Sequence, residues 1–176
     1  MREISKPAKT ILFLLAVAGV VWYGSTVARF LATYQIYDGV EMRLNEFAVG
    51  AVLPIFHAIN PILVATMVAY VAFVALFVAF VVVSKLSLRW NGWLFMSLLI
   101  VGGLAPYELY LIAEYDFHLA HGLFYGWADS AYVEPMALER VKASGSYVLI
   151  QLASHLVALY LFVFQPMTKK PPTNEN

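Results

Sequence analysis

Glu114, His118 and His121 stand at i, i+4 and i+7, a spacing that on a helix puts one carboxylate and two imidazoles on a single face. That donor set suits zinc, non-haem iron or copper, and a divalent metal held there would polarise a substrate or activate a water. His57, between Pro54 and Asn60, could add a third nitrogen if its segment lies at the same depth. Asp116 falls off the shared face and is a weaker ligand. The pattern is short and recurs by chance, and histidines at a membrane surface also serve simply as hydrogen-bond partners of water, carbonyls or head groups. The metal expectation holds only if the helix continues through His121, with Gly122 a candidate cap just beyond it.

Four further polar residues fall inside apolar stretches: Arg29, Glu108, Gln151 and His155. With a rise of 1.5 Å per residue, Glu108 lies about 22 Å along a helix from Trp93 and Arg29 about 27 Å along one from Ile11, so their depths agree within ~5 Å. The two are expected to pair. The pair either fixes helix packing or supplies an ion-binding or proton-relaying carboxylate, and Arg29 has the alternative of snorkelling to the head groups. Gln151 and His155 share a face at i, i+4, which suggests hydrogen bonds between helices. A haem on His155 would need a second axial ligand at the same depth, and no other span contains a histidine, so haem is not expected.

What must position these residues is a membrane-embedded scaffold. From Ile62 to Val83 the chain has no charge, Gly or Pro, and such a helix rises about 33 Å against a bilayer core of about 30 Å. Composition agrees: 62% of residues are hydrophobic, 12% are charged, and mean hydropathy is +0.76. Apolar stretches over about 11–34, 62–83, 93–113 and 147–164 give four spans. Backbone groups in lipid must be satisfied within the segment, so the spans are helices. The fold class is all-α: an integral membrane four-helix bundle, one polytopic domain over 1–176 with outer loops 35–61 and 114–146. The apolar segment Glu46 to Pro61 is too long to join the second span as a straight helix. Pro54 and Asn60-Pro61 are the natural break points, giving a short half-helix at the outer face; one long kinked helix is the alternative. A second short helix with proline in its first turn is expected over Pro135 to Val141, as a lid or a docking surface.

Arg2, Lys6, Lys9, Lys85, Arg89, Lys169 and Lys170 flank one side of the spans, and Arg43, Arg140 and Lys142 the other. Seven against three places both termini in the cytoplasm of a cell-membrane protein. The other side carries Asp38, Glu41, Glu46, Glu114, Asp116, Asp129, Glu134 and Glu139. Most of the Trp and Tyr near span ends form an aromatic belt. A cleaved signal peptide ending near Thr26-Val27-Ala28 competes with the first span, but the apolar run continues through Arg29 to Phe30, Leu31 and Tyr34.

Net charge is zero, with no basic stripe to neutralise phosphates, so nucleic acid is not an expected partner. The chain has no cysteine, which removes disulfides, thiolate nucleophiles and thiolate-held metals. Three functions remain. The first is an accessory, structural or assembly subunit of a larger membrane complex, whose partners are the lipid bilayer and other membrane subunits or further copies of itself. The second is a metal-dependent enzyme or redox subunit using Glu114, His118, His121 and His57. The third is an oligomeric transporter or channel protomer with Arg29, Glu108, Gln151 and His155 along its pathway.

Overall fold

The computed structural model describes residues 5–37 and 43–168; Arg2, Asp38, Glu41, Lys169 and Lys170 lie outside them. Helix α1 (Lys6–Ile36) starts at Ser5, whose hydroxyl accepts from the Ala8 N–H, with Pro7 in the first turn where its missing donor is harmless. A 3₁₀ turn (Glu46–Ala48) leads into α2 (Val52–Ser84). The third span is α3 (Gly92–Leu111), a π segment (Ile112–Asp116) and α4 (Phe117–Tyr125), one continuous helical rod that ends at Gly126 in the left-handed region. Helix α5 (Ser130–Ser144) is capped by the Asp129 side chain, and α6 (Tyr147–Phe164) forms the fourth span. Four helices are long and apolar enough to cross a membrane, as expected of a multi-pass membrane bundle.

The first three spans contain 31, 33 and 34 residues, and α6 contains 18. At 1.5 Å per residue these are about 46, 50, 51 and 27 Å long, so three of the four outrun a bilayer core of about 30 Å. Lys6, Lys9, Lys85 and Arg89 mark one boundary, here termed the terminal end, where Asn91 also pairs with Thr168. The surplus length therefore projects at the opposite, cap end.

Each end has its own core. Trp22, Tyr70, Phe73, Phe80, Trp93 and Phe162 fill the membrane part, whereas Ile36, Val52, Phe56, Leu119, Leu123 and Val133 fill the cap. Helices α1 and α2 form the most extensive pair, α6 packs on α3 and α1, and α5 covers the cap against α2, α3, α4 and the π segment. Gly19 lets α1 approach its neighbours: a Cβ there would sit 2.7 Å from a Leu159 methyl and 3.2 Å from the Phe73 ring. Outward-facing Phe13, Val20, Val68, Val82, Phe95 and Val163 are exposed, so the lipid-facing surface is as apolar as the interior.

Three boundaries depart from the sequence expectation. Residues 46–61 do not form a separate half-helix but follow the long-helix alternative: after the short 3₁₀ turn, α2 runs unbroken through Pro54 and Pro61. Pro54 lies in the first turn, where backbone donors have no helical acceptor. Pro61 removes only the donor to the His57 carbonyl, a loss that transmembrane helices tolerate. The third span does not stop near Ala113 but reaches Tyr125, and α5 begins five residues before Pro135.

Candidate functional site

At the junction of the two cores, the charged residues of three elements converge on one from α5. Asp116 is 1% exposed and accepts three hydrogen bonds: Arg29 Nη1 to Oδ2 at 2.8 Å, Arg140 Nε to Oδ1 at 3.0 Å, and Arg140 Nη2 to Oδ2 at 3.2 Å. Arg140 thus grips the carboxylate with both edges of its fork, the strong bidentate form. The same Nη2 reaches Glu108 Oε1 at 3.2 Å, while Nη1 donates to the Ser144 hydroxyl one turn on. Two guanidiniums and two carboxylates balance in formal charge, with Glu108, Asp116 and Arg140 buried and Arg29 partly so.

The π segment makes this cluster geometrically available. Glu108 and Asp116 are eight residues apart, which in a regular α-helix of 3.6 residues per turn separates them by about 80° around the axis. One inserted residue, the signature of a π bulge, turns i+8 into the direction of i+7 and brings both carboxylates onto the face that meets α5. Such bulges frequently occur at functional sites.

The expected Arg29–Glu108 pair is therefore corrected. Both residues belong to the cluster, but the ion contact of Arg29 is with Asp116 and that of Glu108 is with Arg140. Asp116, read from sequence as a weak ligand, is the hub. Arg140, read from sequence only as an outer-side charge on the expected Pro135–Val141 helix, is its main partner. Both carried a usable signal: Asp116 is spaced with Ile112 and Leu119, and Arg140 with Val133 and Ala137, at the i, i+4, i+7 intervals of buried stripes.

Glu114, His118, His121 and His57 are all exposed, and among the described residues no three His, Asp or Glu side chains come together as metal ligands. The π segment contains Glu114 and ends two residues before His118, so the regular helical i, i+4 register assumed for the set does not hold. His121 is engaged otherwise. Its Nδ1 accepts from Trp127 Nε1 at 3.3 Å, and its ring packs on Phe117 and Tyr125.

A second polar group lies deeper, in the membrane core. Gln151 and His155 share a face as expected and are each 1% exposed, but their bond is within α6, from His155 Nδ1 to the Gln151 carbonyl at 2.9 Å. The ring of His155 sits 4.5 Å from that of Trp22 and 5.7 Å from that of Tyr70. Among the described residues, His155 Nε2, Gln151 Nε2, Trp22 Nε1 and the Tyr70 hydroxyl are buried without hydrogen-bond partners. Bonds between helices are made instead by Tyr147, donating to the Leu104 carbonyl at 2.9 Å, and Tyr107, donating to the Ala143 carbonyl at 2.8 Å.

Beside the ion cluster, a cavity of about 300 Å³ opens between the cap half of α1, the start of α2, α5 and the first turn of α6. Arg29, Asp116 and Arg140 form its charged wall. No family model matches the chain, and no curated protein or solved structure does so either.

Proposed function

We propose that the chain is an accessory, structural or assembly subunit of a larger membrane complex, whose polar residues hold its own helices rather than perform chemistry. The observation that carries this reading is the aromatic face of the projecting third span. Phe117, Phe124, Tyr125 and Trp127 are exposed, Phe124 at 76%. Measured from Gly92, Phe117 lies about 38 Å and Phe124 about 48 Å along the rod, beyond the reach of a 30 Å hydrocarbon core. Tyr and Trp suit the head-group region, but the two phenylalanines have no polar tip to place there. An exposed apolar patch of this kind is what a protein partner covers.

Other readings draw less support. The four clustered charges are tied to one another, and the histidines singled out for a metal do not converge among the described residues. A pathway through the bundle would have to pass Phe73, Phe77, Phe80, Trp93 and Phe162, whose rings fill the terminal half.

The test is site-specific photo-crosslinking in native membranes, with the crosslinker at Phe124 and, as a control, at Val82 on the lipid-facing side of α2. The account predicts a discrete adduct with a different polypeptide from position 124 and lipid adducts alone from position 82. Lipid adducts alone from both positions, or an adduct only with a second copy of the chain, would contradict it.

A further inference from the structure

Arg29 is under-used. A guanidinium carries five N–H donors and no acceptor, and among the described residues only one donor of Arg29 finds a partner, Asp116. Its neighbour Arg140 is nearly saturated by Asp116, Glu108 and Ser144. Arg29 lines the 300 Å³ cavity, whose remaining wall is largely apolar, with Phe30, Phe56, Ile59, Leu63, Leu119 and Val141 among its lining residues. Thr26, also in the lining, is 2% exposed with its hydroxyl unpartnered among the described residues. The mouth is reached from the side: Tyr34 and Leu149 line the cavity and are 64% and 59% exposed.

A cationic donor beside an apolar hollow selects a ligand with both characters. Water alone would leave most of the apolar wall wet, and a pure hydrocarbon would leave the guanidinium donors unmet. We propose that this cavity binds a small amphiphile with an oxyanion head, carboxylate or phosphate, whose head takes the unused donors of Arg29 and whose apolar body lies among Phe56, Ile59, Leu63 and Leu119. The volume accommodates about ten water-sized groups at roughly 30 Å³ each, which fits a medium-length chain. Charge-assisted bonds to Arg are about twice as strong as neutral ones, so the anionic head provides the selectivity.

Equilibrium binding to the full chain in lipid nanodiscs tests this with three probes of equal chain length: decanoate, decyl phosphate and decanol. Saturable, stoichiometric binding is expected for one or both anions, with decanol weaker by roughly tenfold or more; which anion binds tighter identifies a carboxylate or a phosphate source. Arg29→Met should weaken anion binding to the level of decanol. Because that change also removes an ion contact of Asp116, Val141→Trp serves as the second variant: it fills the cavity, leaves all four charged residues in place, and should abolish binding of all three probes. Absence of saturable binding by either anion would overturn the proposal, as would equal affinity for decanol or an unchanged affinity in Val141→Trp.

Discussion

Arg140 is the residue on which the internal charge balance rests, because it alone touches both carboxylates. Arg140→Met leaves Glu108 and Asp116 facing one cation, and removing one partner of a buried ion pair costs about 3–5 kcal/mol. A correspondingly large fall in unfolding temperature in detergent is expected, and most of it should return when Arg29→Met, Asp116→Leu and Glu108→Gln are added, since replacing all four members of the cluster by neutral side chains leaves no unpaired charge. Unfolding unchanged in Arg140→Met would show that the cluster contributes nothing. Tyr37, just beyond α1, carries a buried hydroxyl with no partner among the described residues, and burial, aided by Glu134, pushes its pKa up to about 12. The folded state thus favours the neutral phenol. Its contribution is fully present below the ordinary tyrosine value near 10 and is lost as pH rises through the folded value. Tyr37→Phe should leave stability at neutral pH little changed and flatten the alkaline loss between about pH 10 and 12; an unaltered alkaline limb would refute this. Glu108 and Arg29 were visible in the sequence because a charge within an apolar run is conspicuous. Asp116 and Arg140 were not, because they lie in segments polar enough to pass for loops, and only their spacing with Leu119, Val133 and Ala137 marks them as buried.

At the scale of elements, the π segment makes a prediction unlike that of an ordinary helix. It is an α-helix with one residue to spare, so deleting Ala113, which is exposed, closes the bulge and keeps Asp116 and the cap helices in direction. Inserting one alanine after Ala113 instead rotates everything beyond by about 100° and should destabilise as much as Arg140→Met. Thermal unfolding of the two variants decides the matter; equal damage from deletion and insertion would contradict this view of the segment. Close packing at Gly19 can be tested against an open glycine on the same helix. Gly19→Val should cost roughly 1–3 kcal/mol by overpacking Leu159 and Phe73. Gly24→Ala, with nothing within 4 Å of its Cβ, should be neutral or stabilising by up to about 1 kcal/mol. The four spans were legible because runs of some 20 apolar residues have few other solutions. Their ends were not, since Pro54 and Pro61 resemble breaks in the sequence yet sit where one missing donor is cheap, and the π insertion leaves no compositional mark between Leu111 and Phe117.

For the whole molecule, the distribution of Lys and Arg predicts that both termini face the cytoplasm. Reporter fusions after Thr168 and within residues 127–129 should therefore report cytoplasmic and external locations respectively, and the reverse pattern would invert the orientation. With the termini on one side, the cap projects on the other, carrying its own apolar core, the ion cluster beneath it and an aromatic face on α4. A bundle needing only to persist in lipid has no use for 15–20 Å of surplus helix on three of its spans, whereas a subunit that must meet a partner at the membrane surface does. The most direct measurement is photo-crosslinking from Phe124 in native membranes, followed by identification of the adduct. A stoichiometric adduct with a different membrane polypeptide is the predicted result, and a chain that yields only lipid adducts from that position would contradict the account.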